Sequence, residues 1–237
     1  VVEDSGCRVL VIDAAFAGLW ARMAPDVAEA PRVVVRGGGE DGLEAFLAGH
    51  GAPIDWAPMA PDDMAFWLYT SGTTGRPKGV VHCHHDVLIA DRHLRENLGL
   101  RPGERVFTTS KLFFAFALGH SLFGGLRGGA TVILYEGWPD AGAILAEIAR
   151  TRPHLVFSVP ALYRNLLAAG VAGEPACARV RHYVSAGEKL PQVLFEQWQA
   201  ATGRPILEGI GTSETVCLFL ANTPDAVRPG SAGRPLP

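Results

Sequence analysis

The feature that most limits what this chain can fold into is an alternation. Short β-branched or aromatic runs are each followed by a helix-like segment of about ten residues. Residues 8–13 (RVLVID), 32–36 (RVVVR), 65–70 (AFWLYT), 105–108, 130–135 (ATVILY), 154–159 (HLVFSV), 180–184 and 206–210 read as strands. An Ala-rich helical stretch separates the first two. Further helices are expected over about 87–98, with Asp86 as N-cap and Gly99 as stop, and over 141–150. Pro160 and Pro191 open two more, which end near Gly170 and before Gly203. Strand–helix alternation with few hairpin signals predicts an α/β fold of βαβ units, with mostly parallel sheets flanked by helices. Residues 49–61 (GHGAPIDWAPMAP) lack periodicity and read as a boundary, dividing the chain into 1–60 and 61–237.

Composition removes several classes of function. The 21 basic residues face 24 acidic ones and form no stripe with interleaved aromatics, so nucleic acid is not an expected partner. Mean hydropathy is high at +0.17, yet charged or turn residues interrupt every apolar run before membrane-spanning length. No basic segment followed by an apolar one marks a secretory signal. Cys7, Cys83, Cys177 and Cys217 lie far apart without a CxxC pair, as expected for reduced thiols of a cytoplasmic protein. The first residue is Val, which suggests a processed chain or a segment of a longer reading frame.

In parallel α/β sheets, ligands bind beyond the carboxyl ends of the strands. Three of these strands end in unusual loops. The first, Thr70-Ser71-Gly72-Thr73-Thr74-Gly75-Arg76-Pro77-Lys78-Gly79, combines three glycines, four hydroxyls and a lysine. A polyphosphate accepts hydrogen bonds from all of these groups. A plain turn between strands needs neither the run of hydroxyls nor a lysine behind a proline. It is not a Walker loop, because Pro77 precedes Lys78 where that motif has Gly. The second, Ser185-Ala186-Gly187-Glu188-Lys189-Leu190-Pro191, has small residues that let a planar ligand approach the backbone, although many strand–helix connections look alike. The third, Gly209-Ile210-Gly211-Thr212-Ser213-Glu214-Thr215, sets hydroxyls and one carboxylate at a strand end. Glu214 there can hold the Mg²⁺ of a nucleoside triphosphate, or Ser and Glu can simply cap a helix.

Residues 69–80 (YTSGTTGRPKGV) closely resemble the phosphate-binding signature of the adenylate-forming acyl-CoA synthetase superfamily. The loops at 185–191 and 209–214 match that family's adenine-side and Glu-containing motifs in the same order. Residues 111–119 (KLFFAFALG) look like the acyl-pocket segment of benzoate-CoA ligases, and SAGEKLP and EGIGTSET followed by LFLAN point the same way. The resemblance is strong over about 62–237 and diffuse over 1–60. It implies attack of a carboxylate on the α-phosphate of MgATP, giving an acyl-adenylate and pyrophosphate, then thioester formation with coenzyme A. Carried over, Thr70, Ser71, Gly72, Thr73, Thr74, Gly75 and Lys78 would cradle the β- and γ-phosphates. Gly187, Glu188 and Lys189 would line the adenine, with Ile210, Gly211 and Thr212 also on the nucleotide. Ser213 would reach the α-phosphate and Glu214 the Mg²⁺, making Lys78, Ser213 and Glu214 the catalytic set. Ala115, Phe116, His120, Ala186, Gly187, Gly211 and Cys217 would form the acid pocket.

Departures from the family pattern sharpen the expectation. Ile210 stands where many relatives carry an aromatic, Cys217 where benzoate ligases tend to place a histidine, Phe116 for a tyrosine and Ala117 for a glycine. The loss of polar groups predicts a drier pocket for a substituted or larger acid. Residues 113–120 hold no carboxylate to pair a substrate ammonium, which speaks against amino acids. His120 reads either as a gate or as an ordinary helix-end histidine. The run His82-Cys83-His84-His85 invites a zinc reading, but consecutive side chains do not converge on one ion and no second ligand cluster follows, so none is expected. Relatives continue into a ribose-binding Asp, a hinge and a small C-terminal lid domain, none of which falls within residues 1–237. The chain is therefore expected to be an incomplete N-terminal domain, inactive alone. The competing readings are an aryl adenylation domain that loads a carrier protein, and a module that binds nucleotide without turnover.

Overall fold

The computed structural model of the chain describes residues 1–49, 51–71 and 75–236. The chain divides into two compact units, one of Val1–Met59 with Tyr69–Gly79, the other of Ala60–Leu68 with Val80–Pro237. In the first unit, β1 (Val9–Asp13) and β2 (Arg32–Arg36) pair in parallel around helix Ala17–Met23. Both are β-branched runs, and Val34 at the centre of β2 is buried. The Asp13 side chain accepts the N–H of Ala15 at 3.0 Å and starts the crossover. Two further strands, β3 (Met64–Thr70) and β4 (Lys78–Cys83), form a separate two-stranded sheet.

The second unit is built on a seven-stranded sheet. Its strands are β5 (Arg105–Thr108), β6 (Thr131–Ile133), β7 (Leu155–Ser158), β8 (His182–Ser185), β9 (Ile206–Gly211), β10 (Leu218–Ala221) and β11 (Arg234–Pro235). Their order is β11-β10-β9-β8-β7-β5-β6, and every pair from β9 to β6 is parallel. The α/β architecture is the one the alternation predicts. Each parallel strand feeds apolar side chains to both faces, as a sheet covered on two sides requires. Phe107, Val156, Tyr183 and Ile206 face helices Ala141–Thr151, Pro160–Ala168 and Gln192–Thr202 through Ile144, Leu162, Phe195 and Trp198. Val106, Phe157, Val184 and Leu207 face the opposite cluster with Leu94 and Leu98. The buried phenols are satisfied: Tyr163 donates to the Val184 carbonyl at 2.8 Å and Tyr183 to that of Cys177 at 2.7 Å.

Two features depart from the sequence reading. The single helix expected over 87–98 is two, His84–Ile89 and Arg92–Glu96. The break falls where the Ala90 carbonyl lies so close to Gly124 that a Cβ there would come within 2.6 Å. Beside it, the buried Asp91 carboxylate is shared by Arg95 and Arg127. The N-cap is Cys83, with Asp86 three residues on completing a reciprocal capping box. The second departure is antiparallel pairing at the sheet edge: β9 turns back directly onto β10, and β11 adds beside it. Among the described residues, no helix is long and apolar enough to cross a membrane.

Candidate active site

The 70–79 loop belongs to the first unit. Its base is fixed by Tyr69, whose hydroxyl donates to Asp4 Oδ2 at 2.6 Å and whose ring lies against Gly79. The Asp4 carboxylate, chiefly through that hydrogen bond, pushes the Tyr69 phenol up to about 12. Gly75 adopts a left-handed backbone at φ 80, open to glycine without strain. Lys78 opens β4 with its ammonium exposed and, among the described residues, without an ion pair. Thr70 and Ser71 precede the loop's centre; Gly72, Thr73 and Thr74 lie outside the described residues.

The other two loops belong to the second unit, at the carboxyl ends of β8 and β9. Ser185 ends β8 and Ala186 follows it, both in the core, and Gly187 at φ 92 swings the chain outward so that Glu188 and Lys189 face solvent. Leu190 returns to the core. From β9, the exposed Ile210 and Gly211 lead into a tight turn in which Val216 N–H donates to the Ser213 carbonyl at 3.4 Å. Thr215 Oγ1 accepts the Thr212 N–H at 3.1 Å and donates its one proton to the Cys217 carbonyl at 2.8 Å, with the Thr212 carbonyl 3.2 Å away. Gly211 is glycine because a Cβ there would come within 2.8 Å of the Cys217 carbonyl across the hairpin. Glu214 points to water, and its carboxylate is held below its ordinary range by its own backbone N–H and by the Thr212 hydroxyl.

This topology brings Ala115, Phe116, Ala186, Gly187, Gly211 and Cys217 around one cavity of about 270 Å³. Sequence motifs singled out all six. The cavity also takes Phe114, Thr212, Ser213, Val216 and Leu218, and no charged side chain lines it among the described residues. Val216 was not foreseen, and its backbone is the unusual one: a β-branched residue at φ 51, held there by the turn. Burial, with the nearby Asp86 charge second, pushes the Cys217 thiol up to about 12, so it is a protonated, apolar wall element at neutral pH.

His120 stands behind this wall and not on it. It is wholly buried within a π-helical segment, Leu118–Gly124, and stacks on Phe157 with ring centroids 5.3 Å apart. Its edge meets Phe116 at 5.6 Å, and its Nε2 accepts the Leu218 N–H at 3.0 Å. Burial pushes its basicity well down, so the ring is neutral, with its proton on Nδ1. A second cavity, of about 310 Å³, shares Val216, Cys217 and Leu218 with the first, and its border also includes Asp86, Arg92, His93 and Glu214.

Comparison with known proteins identifies the family and the fold. The chain is 52% identical over 240 residues to a 3-hydroxybenzoate–CoA ligase of Aromatoleum sp. (strain CIB). It is 54% identical over 243 residues to a 3-hydroxybenzoate–CoA/4-hydroxybenzoate–CoA ligase of Thauera aromatica. All of this chain is covered in both cases and 46% of each relative, so the chain spans about half their length. Among solved structures, an anthranilate CoA ligase in complex with anthranoyl-AMP superposes with a TM-score of 0.92 at 32% identity, over 99% of this chain and 45% of that one. A benzoate CoA ligase from Burkholderia xenovorans LB400 gives 0.84 at 33% identity, over 100% and 47%. The family of AMP-binding enzymes matches residues 1–237. The chain belongs to the AMP-binding enzyme family.

Proposed function

We propose that the protein activates an aromatic carboxylic acid in two steps. A carboxylate oxygen attacks the α-phosphorus of ATP, the bond to the β-phosphate oxygen breaks, and an acyl-adenylate and pyrophosphate result. The thiol of coenzyme A then loses its proton and attacks the acyl carbon, and AMP leaves.

The observation that carries this reading is the uncharged cavity of about 270 Å³ at the carboxyl ends of β8 and β9. An apolar cavity of about 150 Å³ takes one benzene, so this one has room for a ring with a substituent. Without a carboxylate in its wall, it offers nothing to a substrate ammonium. The relatives named as benzoate and hydroxybenzoate ligases support the same acid class.

Roles follow from the chemistry of each group. Thr70, Ser71, Gly72, Thr73, Thr74, Gly75 and Lys78 hold the β- and γ-phosphates. Gly187, Glu188, Lys189, Ile210, Gly211 and Thr212 border the nucleotide, and the Ser213 hydroxyl serves the α-phosphate. Glu214, exposed and ionised, suits the oxygen coordination of Mg²⁺. Bound there, Mg²⁺ would supply neutralisation of phosphate charge. Adenylyl transfer is mostly positioning and charge stabilisation, and these hydroxyls, amides and cation are the parts for it. The four free thiols fit a reducing, cytoplasmic setting.

The test is thioester formation by the longest natural form of the protein across benzoate, ring-substituted benzoates and a medium-chain acid. With Phe116 and Cys217 drying the pocket, a substituted benzoate gives the highest kcat/KM, and product release requires coenzyme A. A medium-chain acid turned over fastest, or release that needs a carrier protein in place of coenzyme A, overturns the reading.

A further inference from the structure

Among the described residues, no group of three or more His, Cys, Asp or Glu is placed to hold a metal. The 82–86 segment nevertheless has an organised arrangement of its own. His82 has only 1% of its side chain exposed and stacks on Phe66 with ring centroids 4.8 Å apart. Its Nδ1 is 2.9 Å from Asp86 Oδ2 and its Nε2 is 2.8 Å from the carbonyl oxygen of Ser213. A carbonyl only accepts, so Nε2 carries the proton of that bond and gives it to Ser213, while the Asp86 carboxylate faces Nδ1 and fixes the orientation of the ring.

Asp86 is itself held from three directions. Its Oδ2 accepts the Cys83 N–H at 3.1 Å and faces His82 Nδ1, and its Oδ1 is 3.1 Å from His85 Nε2. His85 Nδ1 is in turn 3.1 Å from Asp62 Oδ1, on a side chain 92% exposed. Asp62, His85, Asp86, His82 and the Ser213 carbonyl thus form one chain of polar contacts, hydrogen-bonded at every step except His85–Asp86, which is an ion-pair approach. It runs from solvent to the buried side of the turn that carries Ser213 and Glu214. The turn's own bonds, among Thr212, Ser213, Thr215, Val216 and Cys217, are all local. The bond from His82 anchors it to another part of the unit.

We propose that His82, oriented by Asp86, is a positioning residue for adenylate formation, and that it acts by fixing the Ser213–Glu214 turn, with His85 and Asp62 as outer supports. This rests on the role given above to that turn. Charge-assisted hydrogen bonds are the strong and directional kind, and small displacements of positioned groups are costly in rate.

The experiment uses the longest natural form of the protein, with His82→Leu and Asp86→Asn. The amide that Asp86→Asn introduces keeps an oxygen for the Cys83 N–H, so the helix start is preserved while the carboxylate that faces His82 Nδ1 is lost. Acid-dependent pyrophosphate exchange is expected to lose about tenfold or more in kcat in both variants, with KM for the acid changed by less than about threefold. In ¹⁵N-histidine-labelled wild type, the His82 Nε2–H should give a hydrogen-bonded, slowly exchanging signal. In Asp86→Asn that signal should shift or broaden as the ring loses its orienting partner. A bare Nε2 on His82 in the wild type, or His82→Leu with wild-type kcat, overturns the proposal. Should His82→Leu fail to fold, Asp86→Asn and the wild-type spectrum still decide. Should the wild type exchange pyrophosphate with no acid, the functional reading fails, while the spectrum still tests the relay.

Discussion

The side chain of Glu208 on β9 accepts the backbone N–H of Leu190 at 2.8 Å, in the buried interior of the second unit. That bond ties the 185–191 loop to the strand that leads into the 209–215 loop, so two of the three motifs share one internal fastening. Glu208→Ala leaves a buried N–H without a partner, which costs about 1–3 kcal/mol. Glu208→Gln retains an acceptor and should cost less than about 1 kcal/mol. Urea unfolding of both variants checks the difference. A loss for Gln equal to that for Ala would mean the hydrogen bond is not what the site needs.

Gly119 packs directly under the pocket turn. A Cβ there would collide with the Val216 carbonyl and come within 3.0 Å of Cys217 Sγ. Gly119→Ala should therefore destabilise by about 1–3 kcal/mol and lower kcat/KM for the acid, since Val216 and Cys217 border the cavity. Gly18 is the contrasting case, in helix Ala17–Met23 with open space where a Cβ would go. Gly18→Ala should stabilise by about 0.5–1 kcal/mol. Thermal melts of the two variants moving in the same direction would contradict the packing argument.

Acid should weaken the second unit in two stages. Burial first, then the Arg181 and Arg204 charges, pushes His182 down to about 4 from an ordinary value near 6.5. The fold thus favours the neutral ring, and this stability is complete above about 6.5 and is lost as pH falls towards about 4. Glu104 is held down to about 2, chiefly by hydrogen bonds from Arg181, one of them 2.7 Å long. Its contribution is present above the ordinary carboxylate range and disappears as pH falls through about 2. Unfolding free energy measured against pH should decline in both windows. His182→Gln should flatten the upper window and Arg181→Met the lower. An unchanged profile in either variant would mean that residue does not set the acid response.

The strands of the parallel sheet were legible because each is a β-branched or aromatic run buried on both faces, as in Leu155–Ser158. The β10 and β11 edge was not, since LFLA is short and a two-residue strand carries no periodicity. The break at Ala90–Asp91 was invisible for a different reason: it answers to Gly124 and Arg127, partners that only the fold supplies. The candidate site divides the same way. Ala115, Ala186 and Gly211 stand out by motif. The placement of His120 behind the wall, and the use of His82 against Ser213, depend on contacts distant in sequence. Asp86 four residues after His82 was the only local hint, and it reads equally well as a helix cap.

The proposed activity stands or falls on whether the cavity bounded by Ala115 and Gly211 receives the acid. Ala115→Phe in the longest natural form of the protein decides this, because it adds a ring to the cavity wall while leaving the residues of the nucleotide loops unchanged. In steady-state kinetics, kcat/KM for the preferred aromatic acid should fall at least about a hundredfold, while KM for MgATP stays within about twofold. Unchanged kinetics with the aromatic acid, or an equal loss in MgATP binding, would place the acid elsewhere.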